Sequence, residues 1–223
     1  MNKETLVDFF QNGFVEDLFK AKYNYEIWKN VTEDYDFLTT LDTNQKKMYG
    51  FIQNSSLTLA VIYLAKIIDV NPKSRSLINL LKRLNSIDSN DHMHEFLPLY
   101  DIDPEWSEKL KEAASANNIL IFFHHLSDHY LELISKSFQF KEIKIVRNKR
   151  LAHNDSRGVL EPAESVKHSS IEWAFDHLLS LLNVISLPIN QSRYSIDLNS
   201  IIESSFVSEN ISKLKREIGL KPV

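Results

Sequence analysis

Cysteine is absent from the 223 residues, and there are only four glycines and six prolines. Without cysteine there can be no disulfide framework, no thiolate zinc site and no cysteine nucleophile. That absence fits a reducing compartment. The N-terminus, MNKETLVDFFQNGF, is broken by charge and does not read as a signal peptide, so a cytoplasmic protein is expected. Scarce glycine and proline mean few tight turns and long helices. No apolar run reaches the ~20 residues of a membrane span; the longest candidate, Leu57 to Val70, contains Lys66 and Asp69. The chain also lacks an excess of positive charge, with a net charge of -4. Proteins that bind nucleic acid through their whole surface are usually basic, which leaves only a local basic cleft on an acidic body.

The charges are unevenly placed. Residues 1–42 carry Glu4, Asp8, Glu16, Asp17, Glu33, Asp34 and Asp36. Positive charge gathers at Lys73, Arg75, Lys82 and Arg83, and again at Lys141, Lys144, Arg147, Lys149, Arg150 and Arg157. A solvated helix face is the simpler reading of the first basic run.

Helical periodicity runs through the chain and predicts an all-α bundle of five to seven helices. Leu6, Phe9, Phe10, Phe14, Leu18, Phe19 and Ile27 recur mostly at steps of three and four and predict a first helix from about Lys3 to Val31. A second, from Thr43 or Asn44 to Ile68, is apolar on most sides, which predicts a central position. Ser74 is the expected cap of a third helix, Arg75 to Ile87, followed by a long polar loop from Asp88 to Asp103. Asp103-Pro104 opens a fourth helical stretch to about Phe138, with a bend expected near Ser115 to Asn118. A helix from about Lys141 to Asn154 follows. Glu161-Pro162 opens another, ended by Leu187-Pro188. Residues 189–198 read as a polar linker and Asn199 to Ile218 as a weaker final helix. The expected division is a helical domain over 1–190, then a linker and C-terminal helix over 191–223.

The histidines do not spell a metal site. His92-x-His94 lacks a third ligand. His125 and His129 share a helix face near Asp128 and Glu132, but the residues between them do not form a zincin signature. No metal and no cofactor is expected.

The chemistry is concentrated in FQFKEIKIVRNKRLAHNDSR, Phe138 to Arg157. Arg147, Asn148, Lys149 and Arg150 come shortly before His153, Asn154 and Asp155, interleaved with Ile143, Ile145, Val146, Leu151 and Ala152. On a helix with one buried side, some of these polar groups must lie at the core's edge or in a cleft. An arginine offers phosphate a permanent charge and a forked donor. A histidine exchanges a proton near neutral pH. Read as structure alone, Arg147 would pair with Asp155 or Glu142. Six residues separate Arg147 from His153, a rise of ~9 Å and a turn of roughly 240° beyond one revolution. On one straight helix the two do not share a face.

Arg147-Asn148 followed by His153 matches the Arg-x(4-6)-His pattern of the HEPN superfamily, and RNKRLAHND resembles its AbiU-like group, associated with abortive infection. AKIIDVNPKSRSLINLLKRL (residues 65–84) and LEPAESVKHSSIEWAFDHLLSLLN (residues 160–183) extend the resemblance, which covers roughly residues 5–190. It implies a HEPN-like bundle whose motifs pair across a two-fold homodimer, and metal-independent cleavage of RNA. Arg147 would then stabilise phosphoryl charge, His153 would move a proton, and Asn148 would orient one of them. Lys144, Lys149 and Arg150 would hold the RNA backbone. Toxin or phage-defence activity follows from the same resemblance, with an antitoxin protein as a candidate partner. A non-catalytic helical module binding RNA, a nucleotide or a protein partner remains the alternative.

Overall fold

Residue identity already fixes most helix ends in this chain. The structure is a computed structural model describing residues 3–33, 39–86, 104–115, 118–152 and 166–190, with residue 213. Helices are α1 (Lys3–Phe9), a π-helical segment (Phe10–Val15), α2 (Glu16–Glu33), α3 (Thr43–Ile67), α4 (Leu77–Leu84), α5 (Pro104–Ser115), α6 (Ile119–Lys136), α7 (Phe138–Ala152) and α8 (His168–Asn190). The first three run on as one rod, so the described residues form an all-α bundle of seven rods without strands. The loop expected over 88–103, with His92 and His94, lies outside the described residues. So do the helix start at Glu161-Pro162 and all of the C-terminal stretch except Lys213.

The first helix is not uniform. It widens into a π turn at Gly13, where a Cβ would run into the Arg75 carbonyl oxygen and lie 2.8 Å from the Arg75 Cβ. Glycine lets the turn before α4 press directly on this rod. Asp42 starts α3 with a capping box: its Oδ1 accepts from the Asn44 and Gln45 N–H groups at 2.8 and 2.9 Å, and Gln45 Oε1 accepts from the Asp42 N–H at 2.9 Å. Such a cap is worth ~1 kcal/mol.

Several boundaries differ from the sequence expectation. Ser76, rather than Ser74, caps α4; its Oγ accepts from the Asn79 N–H at 3.4 Å. Ser74 is engaged in the preceding turn, where both its N–H and its Oγ donate to the Asn71 carbonyl. The expected bend near Ser115 is a full break, and Asn118 caps α6 by accepting from the Leu120 N–H. Ser137, extended, separates α6 from α7, so α7 starts at Phe138, earlier than Lys141. Helix α8 runs through Pro188 to Asn190. A proline so near a helix end forfeits little hydrogen bonding.

One core joins the rods. Phe10, Phe14, Leu18 and Tyr25 of the first rod meet Leu64 and Ile67 of α3, the apolar face of α4, Phe122 and Phe123 of α6, and Phe175 and Leu178 of α8. Helix α8 is buried on most sides over its second half, which makes it central as expected. Helix α3 is central only in its second half, where Ala60, Val61, Leu64 and Ala65 are buried. Its first half leaves Phe51 72% exposed, with Met48 and Leu59 also open. No helix among the described residues is long and apolar enough to cross a membrane.

Candidate nucleic-acid interface

Helix α7 carries the motif and is seated by a stripe at every third position. Phe140, Ile143 and Val146 are buried against α3 and α8, and Phe140 meets Trp173 edge-on at 5.5 Å. At 100° per residue this stripe fixes where the polar residues fall. Lys144 and Arg147 flank it on one side, about 60° apart, and both are half-buried. Glu142 and Lys149 flank it on the other side, also half-buried, while Lys141, Ile145 and Asn148 point to solvent.

The expected pairing of Arg147 with Glu142 does not form. The two stand roughly 140° apart around the helix. Glu142 Oε2 and Arg147 Nε are each buried, and neither has a hydrogen-bond partner among the described residues. An unmet buried donor costs about 1–3 kcal/mol, more when charged. Beside Arg147, burial pushes the Lys144 ammonium below its ordinary value. The carboxylate of Asp69, just past the end of α3, opposes that shift, and the Arg147 charge adds to it. Two cations therefore share a half-desolvated flank of α7, and neither makes an ion pair among the described residues.

Of the expected site residues, the structure brings Lys144 and Arg147 together. Asn148 is exposed on the outer face, and Lys149 lies on the opposite flank. Arg150 belongs to the same helix. His153 and the Asp155 considered as a partner for Arg147 lie outside the described residues. Asp69 was not singled out in the sequence as a site residue, because only the packing of α3 on α7 brings it near Lys144. His124 Nε2 and Ser127 Oγ on α6 are also buried and unpartnered among the described residues. Their spacing of three, next to Phe123 and Leu126, was the only signal for them.

The other polar clusters serve the fold. Arg75 Nε donates to Asp8 Oδ2 at 2.7 Å, Lys66 pairs with Asp17 at 2.7 Å, and Arg83 lies over the Phe9 ring at 4.2 Å. The basic run from Lys73 to Arg83 is thus in part a structural face. On α6, Asp128 accepts from Asn85 and Glu132 pairs with Lys136, while His129 meets the Trp106 ring edge-on at 5.3 Å. Among the described residues no group of three or more His, Asp or Glu side chains could hold a metal ion.

An all-α bundle with a paired-cation flank leading into an Arg…His sequence defines a helical, HEPN-type domain. The chain matches the family model described as AbiU2, of the HEPN group, over residues 4–211, and it belongs to that family. The match extends past residue 190, where the resemblance read from the sequence ended. No curated protein and no solved structure gives a match.

Proposed function

We propose that this protein is a metal-independent endoribonuclease of the toxin or phage-defence type, acting as a cytoplasmic homodimer. Arg147 carries the reading. Its guanidinium is permanently charged, its Nε is buried without a partner among the described residues, and a second half-buried cation stands beside it. Adjacent desolvated cations disfavour one another. An anion with several oxygens satisfies both, and the forked guanidinium geometry suits a phosphodiester. Membership of the HEPN group, which includes ribonucleases and phage-defence proteins, supports the same reading.

In this mechanism the ribose 2′-oxygen attacks phosphorus while the bond to the 5′-oxygen breaks. His153 takes the 2′-OH proton or supplies one to the leaving 5′-oxygen. Arg147 and Lys144 meet the charge that develops on the phosphoryl oxygens. Asn148 orients the phosphate or the imidazole, and Lys149 and Arg150 hold the flanking backbone. The products are a 2′,3′-cyclic phosphate and a 5′-hydroxyl. The nucleophile comes from the substrate, so no metal is required to generate it. Arg147 and His153 do not share a face on one straight helix, so a second copy of α7 would complete the cleft.

Single-turnover cleavage of RNA in excess EDTA tests this. Arg147→Ala should lose about 10²- to 10³-fold in rate, and His153→Ala about 10²- to 10⁴-fold. A requirement for divalent metal, equal cleavage of DNA, or full activity in His153→Ala refutes it. The exposed apolar face of α3 favours a second reading, a non-catalytic module that binds RNA, a nucleotide or a protein partner such as an antitoxin. RNA binding without cleavage of any RNA offered would select that reading.

A further inference from the structure

The turn joining α3 to α4 is held far more firmly than a connection requires. Asn79, 5% exposed, donates from Nδ2 to the carbonyls of Asn71 at 2.7 Å and Ser74 at 2.9 Å. Asn71 Oδ1 accepts from the Lys73 N–H at 3.0 Å, and Asp69 Oδ1 accepts from the Asn71 N–H at 3.2 Å. At the other end Arg75 lies against Gly13 and bonds Asp8. Ile67 and Ile68, both fully buried, anchor the start. Asp69 is thereby fixed in backbone and in one carboxylate oxygen. Its Oδ2 makes no hydrogen bond among the described residues.

Across the contact between α3 and α7, the charge that Asp69 acts on is Lys144, within reach of its field but outside ion-pair contact. Arg147 bears on the same ammonium from the next turn of α7. A half-buried lysine beside an arginine would otherwise swing away into water, since its stem is long and flexible.

We propose that Asp69 is a positioning residue of the phosphate site, held by its turn so that Lys144 stays beside Arg147 and the two cations address one phosphate group. The proposal rests on reading Lys144 and Arg147 as a phosphate-binding pair. It makes a prediction opposite in sign to simple repulsion. Removing a negative charge near an anion site should tighten RNA binding if charge alone matters. Removing a positioning group should weaken it.

The test uses the full chain as wild type, Asp69→Asn and Asp69→Glu. Asparagine keeps the acceptor for the Asn71 N–H, so the turn should persist, and melting temperature checks this. Two readouts are needed: the titration of Lys144 by NMR of labelled lysine, and binding of a single-stranded RNA by fluorescence anisotropy across a salt series. The expected result is that Asp69→Asn lowers the Lys144 pKa further and weakens RNA binding by about threefold or more, a loss of at least ~0.6 kcal/mol. Asp69→Glu should restore much of both. An unchanged Lys144 titration in Asp69→Asn, or tighter RNA binding, overturns the proposal. Failure of the wild-type chain to bind any RNA overturns the phosphate reading beneath it instead, and the Lys144 titration separates the two failures.

Discussion

Lys144 and Arg147 stand one turn apart on the same flank of α7, both half-buried, and neither is in ion-pair contact with a carboxylate among the described residues. A fold selected only for stability would not place two cations this way. The Lys144 ammonium is less favoured in the folded chain than in the unfolded one, first because of burial, with the Arg147 charge adding to it. The folded chain therefore binds fewer protons between the lowered folded pKa and the ordinary unfolded value of 10.5. Stability rises with pH across that window, and at neutral pH the cost of the charge is present in full. Lys144→Met should accordingly raise Tm at neutral pH and flatten the alkaline part of the stability profile. The expected gain is small, about 1–3 °C, because the side chain still reaches water. RNA binding should weaken in the same variant. Thermal melts from neutral pH to pH 10 check the first effect, and a lower Tm would mean that Lys144 is a structural cation.

Gly13→Ala should be among the most damaging small substitutions in the chain. The new methyl group would meet the Arg75 carbonyl, a backbone atom that cannot swing aside. Overpacking of this kind costs about 1–3 kcal/mol, occasionally more. Gly50→Ala is the control. Nothing lies within 4 Å of a Cβ built there, and α3 gains a better helix former. That exchange should stabilise the isolated chain by about 0.5–1 kcal/mol. Urea unfolding of both variants gives the comparison, and equal stabilities would contradict the packing of the first rod on the α3–α4 turn.

The contrast between these two glycines shows what the sequence could and could not reveal. Both look like interruptions within a helical pattern. Only the arrival of Arg75 from a distant turn makes one of them obligatory. Local signals were readable: the Asp42–Gln45 capping box, the helix start at Pro104, and the three-residue step from Lys144 to Arg147. Choices between equivalent local signals were not. Ser74 and Ser76 are both reasonable caps, and the buried Asn79 decides between them by drawing Ser74 into the turn. The apolar ring of α3 said that the helix is sticky without saying which sides its neighbours cover. Asp69 enters the site through packing between elements far apart in sequence, so no local spacing could announce it.

Asn79→Ala tests whether the turn carries Asp69 to the site. Its amide donors meet two carbonyls that a methyl group would leave unpaired, at a cost of about 1–3 kcal/mol. The turn would loosen, and the pull of Asp69 on Lys144 would weaken with it. The Lys144 pKa should therefore fall in Asn79→Ala, although no charge has been removed. If the Lys144 titration is unmoved while Tm drops, the turn stabilises α4 and does nothing for α7.

The last expectation concerns the exposed side of α3. From Met48 to Ala65 this helix carries no ionisable charge except the tyrosines, yet Met48, Phe51 and Leu59 are open to solvent. Gly50 beside Phe51 has open space where a side chain would go. A glycine in an exposed helix interior lowers stability with no return inside one chain. It does allow the backbone of another helix to come close, with Phe51 as the projecting group. A face without charge can also meet its own copy about a two-fold axis without like-charge repulsion. Helix α3 packs on α7, so pairing through α3 would bring two motif helices into one assembly. Phe51→Asp should therefore leave the fold within about 0.5 kcal/mol of wild type, since Phe51 is already exposed. It should weaken self-association by about 30-fold or more, as loss of a central aromatic contact does. Sedimentation equilibrium of wild type and variant, with circular dichroism melts alongside, measures both. A wild-type chain that stays monomeric at micromolar concentration would remove the dimer, and the shared cleft along with it. A dimer unaffected by Phe51→Asp would move the two-fold axis to another face.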